Sequence, residues 1–159
     1  MTRAAVLGVA LLALGASRAP RAFRFEPDAQ AELRRLWVAS SEAKTERVAC
    51  LAGDIRGDTV RVTRILPLTG WADSLTASAR QSLDTCAPPR WQGTVHTHVA
   101  LRDGTRPYSR FSGADRGVNR IWWRRWKVDG VFCVLFSATD AYCEIDGPRS
   151  LAIFPRSTY

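Results

Sequence analysis

Histidine and methionine are scarce in this sequence, with two histidines and one methionine among 159 residues. The chain contains no internal repeat and no low-complexity tract, which argues against a repeat architecture. Tryptophan, phenylalanine and β-branched residues are plentiful, so the composition is not that of a disordered protein. A chain of this length is typical of one domain that is large enough to bury a hydrophobic core.

No hydrophobic run in the sequence reaches the length of a typical membrane-spanning helix. The 13 residues AAVLGVALLALGA, Ala4–Ala16, follow the basic start MTR and precede the small and polar stretch SRAPRA. A bilayer span takes about 20 residues, so this pattern favours a secretory signal peptide. We predict a leader at residues 1–19, with cleavage after Gly15, Ser17 or Ala19, and an exported domain at residues 20–159. An uncleaved leader would instead anchor the protein to a membrane.

The sequence has only four cysteines. If export is correct they meet an oxidising compartment, where disulfides form. Cys133 and Cys143 lie symmetrically within VFCVLFSATDAYCEI and would face each other across two strands of a hairpin. Cys50 and Cys86 would form the second pair. Four cysteines allow three pairings, and four buried thiols are the alternative.

Acidic residues are outnumbered by basic ones. The formal net charge is +8, and Arg3 and Arg18 lie in the predicted leader, which leaves +6 on the mature chain. A basic exported protein could meet an anionic lipid, an anionic polymer or an acidic protein. Nothing in the sequence is typical of a nucleic-acid-binding module, so we expect no nucleic-acid partner.

The apolar patterns predict strands mixed with helices, and hence an α/β or α+β fold in which helices pack on a mixed sheet. The predicted elements are a strand and a helix within 23–46, two strands within 47–68, a helix from about Ser74 to Leu83, a strand at 91–98, a loop at 99–111, a helix at 112–128, and strands at 130–136, 141–145 and 149–155.

The two histidines lie at alternate positions of one predicted strand. Side chains at i and i+2 of a strand point to the same side, so His96 and His98 present two imidazoles to one space. Ser112-x-x-Asp115 follows, with Asp115 in the first turn of the next helix. Zinc binds histidine nitrogen and carboxylate oxygen, and three protein ligands leave one position for water. The pattern therefore predicts a zinc site made by His96, His98 and Asp115.

These residues, in this order, resemble the signature of the JAMM/MPN (JAB domain) metalloproteases, which is a glutamate, then His-x-His, then Ser-x-x-Asp. Glu46 stands at the glutamate position, before a strand pair similar to theirs. The resemblance runs from about Phe23 to Ile145. It implies a JAB/MPN fold related to the deaminase fold, one zinc ion, Glu46 as general acid/base and Ser112 as an oxyanion donor. It also implies hydrolysis of peptide or isopeptide bonds in a peptide or protein substrate, such as a ubiquitin-like tail.

The sequence departs from this family in two local features. Thirteen residues, Val99 to Phe111, separate the second histidine from the serine, whereas the family has about seven. Val99 also replaces a common proline. Loop insertions cost little entropy, and this loop could form a flap over the cleft.

Plainer interpretations of the same residues remain open. The histidines could be polar residues of an edge strand, and Ser112 and Asp115 could simply cap a helix. Glu42 and Glu32 are rivals of Glu46 for the catalytic position. A non-catalytic MPN-like binding module in the cell envelope is the second functional hypothesis. A deaminase ranks last, because its Pro-Cys-x-x-Cys signature is absent.

The helix predicted at 112–128 carries several arginines and tryptophans. At 100° per residue its apolar face would hold Ala114, Val118, Ile121 and Trp122, and its solvated basic face would hold Arg116, Arg120, Arg124 and Lys127. Trp123 would lie on the basic side. This arrangement predicts a core helix, with peripheral membrane contact through Trp123 and the basic face as the alternative.

Overall fold

The computed structural model describes residues 20–69, 82–101, 104–147 and 156–158. These residues form one mixed sheet with a helix on each side. The elements are β1 (Ala22–Phe25), α1 (Pro27–Ala43), β2 (Val48–Arg56), β3 (Thr59–Pro67), β4 (Gly93–Thr97), α2 (Gly113–Trp126), β5 (Gly130–Leu135), β6 (Asp140–Asp146) and β7 (Arg156–Thr158).

The predicted α/β class is confirmed, and so are the elements predicted between residues 23 and 68 and between 91 and 145, to within a few residues at their ends. The predicted leader, most of the predicted helix at 74–83 and the predicted strand at 149–155 lie outside the described residues. Within the described part of the chain, no helix has both the length and the apolar character that a bilayer crossing requires.

The sheet of the described residues has the strand order β1-β3-β2-β4-β5-β6-β7. The β1/β3 and β4/β5 pairs are parallel, and the other pairs are antiparallel. Strand β4 is therefore central, between β2 and β5. This position brings the end of β4 close to the start of β2 and to the helix that precedes β5.

Helix α1 covers one side of the sheet with aliphatic side chains. Pro27 at its first position and Asp28 in its first turn suit a helix start, and Lys44 ends it in the left-handed conformation with φ 51°. Its buried residues recur every three or four positions, at Ala29, Leu33, Leu36 and Ser40. They pack on Phe, Val, Leu and Ile side chains of the strands, and this group of residues is called the first core below.

Helix α2 covers the other side and packs against aromatic side chains. The second core contains Trp91, Phe111, Trp122 and Phe132, with Val118, Trp123 and Trp126 partly buried against it. The Trp122 ring meets the Phe132 ring edge-on, with centroids 5.9 Å apart. Such aromatic pairs contribute beyond the area that they bury.

The faces of α2 agree only in part with the helical wheel. Trp122 is buried and Val118 packs against the second core, and Arg120, Arg124 and Lys127 are exposed, as predicted. Ala114 and Ile121, predicted on the apolar face, are exposed, Ile121 by 41%, whereas Asn119 is buried. Trp123, predicted on the basic side, packs partly against the second core.

Both predicted disulfides are confirmed. Cys133 and Cys143 face each other on β5 and β6 and are bonded, and Cys50 on β2 is bonded to Cys86. The second bond ties the segment before β4 to the sheet beneath α2. A cross-link of this kind restricts the unfolded chain and so stabilises the fold.

Candidate metal centre

The two histidines stand at the C-terminal end of the central strand. His96 lies in β4, and His98 follows it by two positions, with its backbone N–H donating to the carbonyl of Leu135. This bond continues the pairing of β4 with β5, so both imidazoles project from the same side of the sheet. Their Nε2 atoms are 3.1 Å apart, and the side chains are 14% and 8% exposed.

Asp115 in the first turn of α2 completes the group. Its Oδ1 lies 3.3 Å from Nε2 of His96, and its Oδ2 lies 3.5 Å from Nε2 of His98. The Ser112 hydroxyl accepts a hydrogen bond from the Asp115 backbone N–H, and the Ser112 N–H donates to Oδ2 at 2.6 Å. This reciprocal capping box holds the carboxylate in place.

The spacing of the two imidazoles and the carboxylate is compatible with a metal ion. Bonds of 2.0–2.1 Å in a tetrahedral zinc site place neighbouring ligand atoms about 3.3 Å apart. The two Nε2 atoms are 3.1 Å apart, and each approaches a different Asp115 oxygen, at 3.3 Å from Oδ1 for His96 and 3.5 Å from Oδ2 for His98. With one ligand atom taken from each residue, the three atoms lie within 4.8 Å of one another. Among the described residues, His96, His98 and Asp115 form a group that could hold a metal ion. The cofactor prediction is thus confirmed as a compatible metal site, without an identity for the metal.

The long loop after His98 orients the His98 imidazole. The Nδ1–H of His98 donates to the carbonyl oxygen of Tyr108 at 2.7 Å, and the two rings stack with centroids 6.1 Å apart. This bond fixes the tautomer, since a proton on Nδ1 leaves the Nε2 lone pair for a metal. The sequence did not indicate the Tyr108 contact, because a backbone carbonyl in a loop carries no residue signature.

Burial and hydrogen bonding act in opposite directions on the pKa values of Asp115 and His98. Burial opposes ionisation of Asp115, but hydrogen bonds from His96 and His98 outweigh it and hold its pKa well below the usual range. Burial would also lower the pKa of His98, yet the hydrogen bonds to Asp115 and to the Tyr108 carbonyl raise it above its usual value. Asp115 is therefore held as an ionised carboxylate beside two imidazoles, and a metal ion would bind the imidazoles in their neutral form.

Glu46 lies across the strand pair from the histidines. Val48 pairs with His96. The Thr97 N–H donates to the Arg47 carbonyl, and the Arg47 N–H donates to the Thr97 hydroxyl. Continuing this antiparallel register places Glu46 opposite His98, on the same side of the sheet. Burial raises the pKa of Glu46 above its usual value, although the two histidines act to lower it.

One carboxylate oxygen of Glu46 is not engaged in a hydrogen bond with the described residues. Its Oε2 is buried and has no hydrogen-bond partner among the described residues. The rival carboxylates are elsewhere: Glu42 is exposed, and Glu32 is paired with Arg35 on the surface of α1. Of the three candidates, Glu46 alone lies beside the ligands.

A buried carboxylate that the sequence did not reveal lies beneath the start of α2. Glu144 on β6 is 0% exposed and accepts hydrogen bonds from the Arg116 guanidinium and from the Tyr142 hydroxyl. Burial raises the pKa of Glu144, while Arg116 acts to lower it. Arg116 therefore ties the turn that carries Asp115 to the sheet, whereas the helical wheel had placed it on the solvated face.

Comparisons with known proteins bear on the fold. No protein-family model matches this chain, and no curated protein matches it. The solution structure of protein DSY2949 from Desulfitobacterium hafniense is similar, with a TM-score of 0.51 and 15% identity over 86% of this chain and 89% of that chain. At this level of identity the likeness shows a shared fold alone.

Proposed function

We propose that this protein is a zinc-dependent hydrolase of peptide or isopeptide bonds, with a JAB/MPN-type fold and site. The observation that carries the proposal is the buried group of His96, His98 and Asp115, whose ligand atoms lie within 4.8 Å of one another, with Glu46 just before β2 and close enough to interact electrostatically with both histidines. A site with three protein ligands and one open position is typical of catalytic zinc, whereas structural zinc has four protein ligands.

A zinc ion at this site would lower the pKa of a water molecule toward about 7 and polarise a carbonyl group. His96, His98 and Asp115 would hold it, with His98 oriented by the Tyr108 carbonyl. The Oε2 atom of Glu46 would accept a proton and then deliver it to the leaving amine, a transfer that its raised pKa favours. The Ser112 hydroxyl would donate toward the negative charge that develops on the substrate oxygen.

We also propose that the protein acts on a peptide or protein after export. The leader pattern at residues 1–19 supports export, and so do the two disulfides, which persist in oxidising compartments. Tyr108 and Phe111 would line one wall of the cleft, since Tyr108 stacks on His98 and the Phe111 ring centroid lies 5.9 Å from that of His96.

Zinc stoichiometry and cleavage test the proposal together. Purified wild-type protein should contain close to one zinc ion per chain and should cleave members of a quenched-fluorescent peptide library, with cleavage lost on chelation and regained with zinc. His96→Ala should lose stoichiometric zinc. Glu46→Gln should keep zinc and lose cleavage, because the amide cannot accept the proton. Glu42→Gln, on the exposed surface of α1, is the matched control and should behave like wild type.

Two results would contradict the proposal. If wild-type protein does not bind close to one zinc ion per chain, the proposed metal site is wrong. Protein that binds zinc but shows no chelator-sensitive cleavage of the library would support the second hypothesis, a binding module that retains the fold.

A further inference from the structure

We propose that Thr97 and Ser40 act as positioning residues that fix Glu46 relative to the two histidines; this inference rests on the proposed hydrolase function. Thr97 lies between His96 and His98 in the sequence, so its side chain points to the opposite side of the sheet, toward α1. Ser40 is the last buried residue of α1, and both side chains are 0% exposed.

Their two hydroxyl groups form a small buried network. The Ser40 hydroxyl is hydrogen-bonded to the Thr97 hydroxyl and donates to the backbone carbonyl of Thr45. The Thr97 hydroxyl also accepts the backbone N–H of Arg47 at 2.9 Å. The Thr45 N–H donates to the Ser40 carbonyl at 3.2 Å. The bonds therefore attach the residues on both sides of Glu46 to α1 and β4.

This network occupies a place where packing alone would favour an aliphatic residue. Ser40 continues the buried positions of Ala29, Leu33 and Leu36 in α1, and the side chains around it in the first core are apolar. A buried hydroxyl costs free energy unless it is hydrogen-bonded, so apolar residues of similar shape would be at least as stabilising. A polar pair here gains a geometric role, because hydrogen bonds have directions that aliphatic contacts lack.

The geometry gives the network a consequence for the site. Glu46 belongs to the short connection between α1 and β2, and connections are less constrained than strands. A displacement of about 1 Å in a group that transfers a proton can lower the rate by about 100-fold. The histidines, in contrast, are held by the β4/β5 pairing whether or not the Thr97 hydroxyl is present.

The experiment compares Thr97→Val with Thr97→Ser, and uses Thr63→Val as the matched control. Valine keeps the shape of threonine without the hydroxyl, and serine keeps the hydroxyl. Thr63 lies on β3, and its hydroxyl bonds to the Ala52 carbonyl away from the site. Three readouts are needed: zinc affinity by competition titration, cleavage of the same peptide library, and amide hydrogen exchange of the metal-free protein by NMR.

Thr97→Val should lower the rate of cleavage at least about tenfold while zinc affinity stays within about threefold of wild type. The Arg47 amide, which loses its acceptor, should exchange at least about tenfold faster, while the Thr97 amide, bonded to the Arg47 carbonyl, stays protected. Thr97→Ser should restore cleavage and Arg47 protection, and Thr63→Val should change neither.

The inference is overturned if Thr97→Val leaves cleavage and Arg47 exchange at wild-type values, or if Thr97→Ser fails to restore them. If Thr97→Val does not fold, Ser40→Ala removes one partner and should change cleavage and Arg47 exchange in the same direction, by about threefold; no change would reject the role. Failure of the hydrolase proposal is distinguishable, since it would appear as missing zinc or missing cleavage in wild-type protein. Arg47 exchange would still decide whether the network holds the connection around Glu46.

Discussion

The two sides of the sheet are built differently. On the α1 side, the first core is mainly aliphatic, and the fully buried residues Ser40 and Thr97 place two hydroxyl groups beside it. On the α2 side, the second core consists largely of aromatic rings and holds the Cys50–Cys86 disulfide. The fully buried Glu144 and the candidate metal ligands also belong to the α2 side.

The α1 side of the sheet therefore contributes mainly to stability, whereas the α2 side carries the candidate metal ligands. Aliphatic side chains bury apolar area without any polar group that needs a partner, so the first core stabilises the sheet mainly through apolar burial. A site that binds a cation needs carboxylates and imidazoles, which are costly to bury and must be paired. In this protein those groups gather where the end of β4 meets the start of α2, and the first core supports the strands beneath them.

The largest effect on stability is expected on the α1 side. Leu33 is 0% exposed, and Leu33→Ala should lower the free energy of unfolding by about 2–5 kcal/mol, because it removes apolar contacts and leaves a cavity. Zinc affinity of the protein that remains folded should be unchanged. Urea unfolding and zinc titration measure the two quantities. A large loss of zinc affinity would show that the two sides are not independent.

A smaller effect on stability is expected from Arg116→Ala, which leaves the buried Glu144 without its cation. The free energy of unfolding should fall by about 1–3 kcal/mol, less than for a fully buried pair because the Arg116 side chain is 34% exposed. Zinc affinity should also fall several-fold, because Arg116 holds the turn that carries Asp115.

The matched control for this variant is Arg120→Ala, one turn further along α2 and exposed. It removes the same charge and should change the free energy of unfolding by less than about 0.5 kcal/mol. If the two variants were equally destabilised, the loss would come from the charge of the helix and not from the Glu144 contact.

The smallest stability effect is expected at the helix start. Ser112→Ala removes the capping hydroxyl and should cost about 1 kcal/mol, whereas Ser112→Thr should retain most of the capping. The proposed function adds a kinetic expectation, a fall of about 100-fold or more in cleavage for the alanine variant. Thermal unfolding and the library assay separate these contributions. Normal cleavage by Ser112→Ala would limit Ser112 to its capping role.

Much of the local structure could be predicted from the sequence. The alternation of Val60 and Val62 with Arg61 and Thr63 predicted a half-exposed strand, and β3 has this pattern of burial. The symmetric placement of Cys133 and Cys143 predicted their pairing across a hairpin. The first pattern follows from the two-residue period of a strand, and the second from the equal distance of two residues from a hairpin turn, so neither depends on a distant element.

Prediction failed where side chains of different elements compete. The helical wheel placed Trp122 on the apolar face of α2 correctly, but it placed Ile121 there too, because it weighs every apolar residue alike and does not show which part of the face meets the second core. Ile121 is 41% exposed. Arg116 was assigned to solvent because its partner, Glu144, is distant in the sequence and is buried on another strand.

The sequence by itself determined the shared side of His96 and His98 and the capping box that holds Asp115, because strand alternation and the i to i+3 geometry of a helix start act within one element. Only the tertiary structure decided that β2 pairs with β4 so that Glu46 lies opposite His98, and that the loop returns to place the Tyr108 carbonyl on His98. Those contacts depend on how separate elements pack against each other, and the free energy of that packing is shared among side chains far apart in the chain.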